Sequence, residues 1–313
     1  RTQNNTTDCQ NSPYTQEVRD RMLTEPSYQP LSVTDIIDND RKLTVMTKEE
    51  TPMTDDEAIA AVDLSHLRPE IADLVRQILR KHVSVLAKSQ YDLPPTDYIE
   101  ADIQLNDSAL SQCLRCTHSP IPAHLIDEVE IILKQMIRAG IVVQTNDYSP
   151  ILNAILVSRK TSGRLRVLLD ARLLNVSSHA PVCAATPLNA VFAHLNQARY
   201  VTVVDATNAF FTIPVAPAKV PLLSFMFKNK KYALRRLPMG WKGSPAYLEA
   251  LIGKAIEDVP QAINFADDII VASSDSPEHH LSLLDKLLEN CNALNIRLNT
   301  KKLAILHPDL TIV

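Results

Sequence analysis

Two short runs hold the residues whose types and spacing could do chemistry. In the first, Phe265-Ala266-Asp267-Asp268 leads into Ile-Ile-Val-Ala; in the second, Val201-Thr-Val-Val ends in Asp205. Apolar, β-branched runs of this length read as strands. A tight turn at the Asp pair, within a strand–turn–strand from Ala262 to Ser273, would set two carboxylates at a hairpin tip. If the strand ending at Asp205 lies beside that hairpin, three carboxylates converge. Hard divalent cations want oxygen ligands, and Mg2+ is held by a few carboxylates plus substrate phosphates. Two such ions would activate a hydroxyl nucleophile and stabilise a leaving pyrophosphate. Taken alone, an Asp pair also reads as a polar turn. A phospho-acceptor signalling domain uses an Asp pair, a further Asp and a Lys, but there the pair comes first; here Asp205 precedes it.

The elements that must position these residues are legible in part. Residues 1–65 are polar and without sustained periodicity, and read as a disordered or linker segment with a short helix near Asp55–Ala61. Residues 66–117 read as a helical and extended lead-in. Ile71, Leu74, Val75, Ile78 and Leu79 recur there at helical spacing, and Tyr98 to Leu105 alternates. A helix after Pro122 carries Val129, Ile132, Leu133 and Met136 on one face and stops at Gly140. Strands follow at Ile151–Arg159 and Leu165–Asp170, joined by a turn at Gly163, then at Tyr200–Asp205 and Phe210–Val215. Helices are expected over Pro245–Glu257 and Pro277–Leu294. Helices and hairpins mixed in this way, without regular βαβ units, indicate an α+β fold.

Composition narrows the class. With 45% hydrophobic and 22% charged residues among 313, and no long apolar run, the chain reads as globular with no membrane span. Its five cysteines are scattered; Cys113, Cys116 and His118 lack a second ligand pair at zinc-site spacing, so two unligated thiols are expected. The net charge of −4 hides an asymmetry: residues 1–150 carry 14 Lys/Arg against 24 Asp/Glu, and residues 151–313 carry 18 against 12. The basic second half points to a polyanion partner. The opening Arg1 reads as the start of a piece of a polyprotein.

From about Leu93 onward the chain resembles the reverse transcriptases of LTR retrotransposons, especially the Gypsy-like class related to retroviral enzymes. Six segments carry the resemblance, in order: Tyr148 to Val157; Leu165-Arg166 through Asp170-Ala-Arg172-Leu-Leu-Asn175; Val204-Asp205 through Phe210 to Val215; Leu237-Pro-Met-Gly-Trp-Lys-Gly-Ser-Pro-Ala246; Phe265-Ala-Asp-Asp268; and Asn295 to Lys302. The resemblance implies a right-hand polymerase, with fingers at 118–181 and 213–239, a ferredoxin-like palm at 182–212 and 240–313, and truncation before the thumb. Leu310 to Val313 resembles the lead-in to the family's primer grip.

Roles follow from the same resemblance. Asp205, Asp267 and Asp268 would be catalytic and, with the backbone of Ala206, hold two Mg2+ ions, with Mn2+ as a substitute. Lys302 would act as general acid. Lys160, Arg166, Ala209, Phe210, Met239 and Gly240 would bind the nucleotide, with Phe210 as a steric gate against a 2′-hydroxyl. Either Arg159 or Lys160 stands at the family's lysine position, and only one of Phe210 and Phe211 can face the site. Asp170, Arg172, Trp241, Lys242, Gly243, Phe265 and Ala266 would meet template and primer. The implied reaction is RNA- and DNA-directed DNA synthesis from dNTPs. Protease, RNase H and integrase would be partners in the parent Pol polyprotein, in the cytoplasm within virus-like particles. A catalytically silent palm that only binds nucleic acid or a partner is the competing reading; a nucleotide cyclase on a similar palm is disfavoured by the Trp241–Ala246 motif and the fingers hairpin.

Overall fold

The computed structural model describes residues 51–107, 114–115, 121–159, 163–183, 185–196 and 198–307. By packing, Thr47–Lys160 and Arg164–Val313 form one unit; of the other, Arg1–Met46 with Thr161–Gly163, only Gly163 is described. Cys113, Cys116, His118, Lys160 and the segment from Leu310 to Val313 lie outside the described residues.

The helices are α1 (Asp55–Ala60), α2 (Pro69–Lys81), α3 (Ile126–Arg138), α4 (Arg172–Ser177), α5 (Leu188–Leu195), α6 (Ser244–Ile256) and α7 (Pro277–Ala293). Their ends follow ordinary capping chemistry. Thr54 and Glu57 form a capping box on α1, Pro69 opens α2, and the Ser276 hydroxyl accepts the His279 N–H at the start of α7. The strands are β1 (Leu114–Arg115), β2 (Val142–Gln144), β3 (Ile151–Leu152), β4 (Ile155–Arg159), β5 (Leu165–Leu169), β6 (Tyr200–Asp205), β7 (Ser224–Phe227), β8 (Lys230–Leu234), β9 (Ala262–Phe265) and β10 (Asp268–Ser273).

One antiparallel sheet has the order β6-β10-β9. Side chains alternate between its faces, so Val203 and Ile270 pack on Val191 of α5, while Thr202 and Ser273 hold His280 of α7. Beyond β6 an irregular segment takes the place of a fourth strand. Val203 and Ala304 exchange backbone hydrogen bonds of 2.9 and 3.0 Å, and Ala206 bridges Leu298. The separate hairpin β4-β5 comes from the region expected as a hairpin; a second sheet, β2-β8-β7, comes from segments not expected as strands, and β1 pairs with β3. The fold is α+β, as the pattern of elements indicates.

Three expectations need correction. Residues 51–65 contain the short helix expected near Asp55–Ala61, as α1, but they are packed and not a linker, burying Ala58, Ile59, Val62 and Leu64. Ile151–Arg159 is two strands, because Asn153 turns its amide to the carbonyls of Leu222 (2.9 Å) and Ser224 (3.1 Å). Phe210 is not in a strand. Asn208 takes a left-handed φ of 44° and starts a 3-10 helix, Ala209–Thr212; only beyond it does the chain extend, at Pro214 and Val215. The β7-β8 hairpin and helices α4 and α5 were not foreseen. That hairpin turns on Lys228 and Asn229, both left-handed, which suits the primed turns that join twisted strands.

Candidate active site

The carboxylates meet through sheet register. Asp205 ends β6 directly opposite Asp268, the first residue of β10, and Asp268 also faces Phe265 across the β9-β10 turn. Residues paired in this way share one face of the sheet. The two-residue turn is Ala266-Asp267, and Ala266 adopts a left-handed φ of 55°, an unusual conformation for a residue with a Cβ. Asp205 is buried, Asp268 half-buried and Asp267 exposed. The Ala206 N–H points at the Asp267 carbonyl at 3.4 Å, closing the strand end against the turn.

Lys302 completes the group. Its Nζ lies 2.7 Å from Asp205 Oδ2, and the hydrogen bond to Asp205 raises the ammonium's pKa. The segment that delivers it is tied down by the Asn299 N–H on the Asp205 carbonyl (2.9 Å) and the Lys302 N–H on the Asn299 carbonyl (3.0 Å). Burial, and then the like charges of Asp205 and Asp267, push the Asp268 carboxyl up to about 6, against the pull of Lys302. Three acids with one cation among them leave negative charge uncompensated. Among the described residues no three His, Cys, Asp or Glu side chains close in tightly enough to enclose an ion. The donor set nonetheless fits one: it is all oxygen, it lies at an open sheet end, and its mutual repulsion is what a divalent cation relieves.

The other expected residues fall into three groups. Ala209 is buried and Phe210 half-exposed in the 3-10 turn, whereas Phe211 is buried and lines an apolar cavity with Met136, Val167 and Phe225. Of the two rings, then, Phe210 is the one with an open side. Arg166 stands half-exposed opposite Ser158 in the β4-β5 hairpin, and Arg159 reaches Glu128 of α3 at 3.5 Å. Met239 is half-buried, and Gly240, with a φ of 91°, is exposed.

The residues assigned to template and primer divide sharply. Arg172 and Lys242 are exposed, and Phe265 and Ala266 belong to the turn beside the carboxylates. Asp170 is buried and gripped by Arg172 through two bonds, 2.9 Å from Nε and 2.6 Å from Nη2, so it orients that arginine. Trp241 is 1% exposed, donates its indole N–H to Ser178 Oγ at 2.9 Å and stacks on Tyr247. A Cβ at Gly243 would lie 2.4 Å from that indole ring, so the glycine makes room for the tryptophan. The sequence reading missed Asn175. Its amide donates to the Gly240 carbonyl (2.9 Å) and accepts the Lys242 N–H (2.8 Å), clamping the loop between them. Its place at the end of the Asp170-Ala-Arg172-Leu-Leu-Asn175 motif was the available signal.

Carboxylates at the end of a three-stranded antiparallel sheet, with a helix-backed hairpin region beside it, define a right-hand polymerase fold. The chain belongs to the reverse transcriptase (RNA-dependent DNA polymerase) family, whose model matches residues 140–312. It is 28% identical over 170 residues to the Pro-Pol polyprotein of Simian foamy virus type 1, covering 54% of this chain and 14% of that protein. It is 28% identical over 188 residues to the retrovirus-related Pol polyprotein from transposon opus of Drosophila melanogaster, covering 58% of this chain and 19% of that one. Among solved structures, the foamy viral protease-reverse transcriptase in complex with an RNA/DNA hybrid superposes with a TM-score of 0.74 at 17% identity, over 86% of this chain and 36% of that one. The Prototype Foamy Virus protease-reverse transcriptase CSH mutant gives 0.71 at 20% identity, over 81% and 33%. The chain therefore spans less than a fifth of the length of these two polyprotein relatives. No described helix is long and apolar enough to cross a membrane.

Proposed function

We propose that the chain is the fingers and palm of a retroelement DNA polymerase that extends a primer 3′-hydroxyl with dNTPs on RNA and DNA templates. The observation that carries this reading is the Asp205–Asp268 register pair, with Asp267 in the adjoining turn and Lys302 on Asp205. Asp205, Asp267 and the Ala206 carbonyl would hold two Mg2+ ions, or Mn2+ in their place, with Asp268 beside them. Bound there, the ions would supply Lewis acidity to the attacking and leaving oxygens. Lys302 is kept protonated by Asp205 and holds the proton that the departing pyrophosphate needs.

The remaining roles rest on family membership and exposure. Phe210 meets the sugar at its 2′ position, Ala209, Met239 and Gly240 border the nucleotide, and Arg166 with Lys160 or Arg159 takes the triphosphate. Arg172, Lys242, Phe265 and Ala266 meet template and primer; Asp170, Trp241 and Gly243 act behind that surface by fixing Arg172 and the loop. Fingers at 118–181 and 213–239 and a palm at 182–212 and 240–313 suit the two sheets. Solved neighbours include a foamy viral protease-reverse transcriptase in complex with an RNA/DNA hybrid and with double-stranded DNA, which supports a template-primer as ligand. A parent Pol polyprotein with protease, RNase H and integrase, working in the cytoplasm inside virus-like particles, belongs to the same proposal.

The test is extension of oligo(dT) on poly(rA) with Mg2+ and dTTP. It compares this chain, a form continued at its C-terminus, and Asp267→Asn in whichever extends. Extension that the substitution abolishes supports the reading. Equal extension by Asp267→Asn removes the metal assignment. Primer–template binding without extension in every form replaces the polymerase with a silent nucleic-acid-binding palm.

A further inference from the structure

The turn between Asp205 and Phe210 is held from outside by a part of the chain that precedes the matched family region. Asn208 sits in that turn with a left-handed φ of 44°, a conformation that Asn and Gly tolerate best. The Phe211 N–H donates to the Asn208 carbonyl (2.8 Å) and the Ile213 N–H to the Phe210 carbonyl (3.2 Å), so the 3-10 helix bearing Ala209 and Phe210 takes its direction from Asn208. The side chain of Asn208 points the other way: its Nδ2 donates to the Gln90 carbonyl at 3.0 Å.

Gln90 belongs to a strap, residues 83–106, that opens with a 3-10 turn at Val83–Val85 and is anchored on both sides of Gln90. Upstream, the Leu298 N–H donates to the Val85 carbonyl (2.8 Å) and the Ala87 N–H to the Leu298 carbonyl (2.9 Å), the same Leu298 that bridges Ala206. Downstream, Asn295 Nδ2 donates to the Pro95 carbonyl (2.8 Å), and the Thr96 N–H donates to the Thr212 carbonyl at the end of the 3-10 helix (2.8 Å). The strap runs on past Pro214 and Ser177, accepted by both carbonyls. It thus grips the turn before Phe210 through Asn208 and the residue after Phe211 through Thr96. The family model begins at residue 140, so nothing in it describes this grip.

We propose that the strap is a positioning element of the nucleotide site. Asn208 and Asn295 are its positioning residues; through them it sets the angle of Phe210 and so the preference for deoxy- over ribonucleotides. The proposal rests on the polymerase reading above for its consequence, but not for its mechanics. Asn208→Gly and Asn208→Asp keep the left-handed backbone accessible while removing the donor to Gln90. Asn295→Gly, at a φ of 60°, removes the bond to Pro95 and touches no residue assigned to substrate.

Two measurements decide it. In the 313-residue chain, hydrogen exchange is expected to quicken together in residues 85–96 and 205–213 for each variant, with α7 unchanged. In the extending form, KM for dTTP is expected to rise and the dTTP-to-UTP preference to fall, each by about threefold to tenfold, the scale of one hydrogen bond, with kcat little changed. Asn295→Gly should move both in the same direction by less. Exchange that stays at the parent rate in either segment overturns the grip. A fall in kcat with unchanged preference reduces the strap to a structural brace and overturns the selectivity claim. If the parent form extends no primer, the polymerase reading fails, while the exchange result still decides whether the strap holds the turn.

Discussion

Strands β6 and β10 carry two polar clusters at opposite ends, and the two are built on contrary terms. At one end His280 is buried between the Thr202 and Ser273 hydroxyls, 2.8 Å from each, so every polar atom of its ring has a neutral partner. Burial drives its pKa down to about 4 and keeps the imidazole neutral. At the other end Asp205 and Asp268 face each other as like charges with Asp267 nearby, and among the described residues Lys302 is the cation that offsets them. The first cluster satisfies itself and serves the fold. The second is left wanting a cation, and charge held in that state is what a metal-dependent site requires.

Substitutions can break the contrast in order of size. Asp267→Asn is expected to lower primer extension by about a hundredfold or more while leaving the melting temperature intact, the scale of losing a pre-organised charge at the reacting group. His280→Ala should do the reverse. It removes the partner of Ser273 Oγ, leaves Thr202 Oγ1 with the Leu306 N–H alone (3.2 Å) and opens a void beside them, and urea unfolding should register a loss of about 2–4 kcal/mol. Asp268→Asn is expected to stabilise the chain near neutral pH, because it removes a carboxylate whose charged form the fold disfavours. About 1 kcal/mol is the outside figure once solvent screening of a half-exposed group is allowed for.

The smallest effect is the most diagnostic. The His280 pKa is depressed from 6.5 to about 4, so in that window the unfolded chain takes the proton and acidification costs stability. The Asp268 pKa is raised from 3.8 to about 6, so there the folded chain takes the proton and acidification adds stability. Between about pH 6 and 4 the two slopes oppose each other, and the parent chain should show a shallow pH dependence of its urea midpoint. Asp268→Asn should uncover the acid sensitivity owed to His280. His280→Ala should uncover the opposite slope. If neither variant steepens the profile, the contrast between the two ends is wrong.

Much of the catalytic end was legible because register does its work locally. An apolar run ending in Asp205 and a hairpin with Asp267-Asp268 at its tip can be read residue by residue, whereas the pairing of β6 with β10 was only a condition in the sequence and is supplied by the structure. Lys302 was legible only as a motif, since what brings it to Asp205 is an irregular segment that no periodicity announces. Phe210 was misread as strand because one left-handed residue, Asn208, redirects the chain, and Asn carries no marking for that as Gly would. Trp241 and Gly243 were assigned from their motif, and a motif does not say which of its members are buried. The fit of glycine to indole is a tertiary fact, and so is the hold of Asn175 on the same loop.

The irregular segment beside β6 has a consequence for how such chains behave when crowded together. An outer strand with free N–H and carbonyl groups invites pairing with other chains and, at high local concentration, fibrous association. Residues 298–304 blunt that edge through Ala206 and Val203, and the same few residues present Lys302. The lysine that meets Asp205 and the edge guard are therefore inherited as one piece. A lineage that discarded the first by deletion would expose the second, so decay of such a polymerase should proceed by point substitution at Lys302 long before the segment itself is lost.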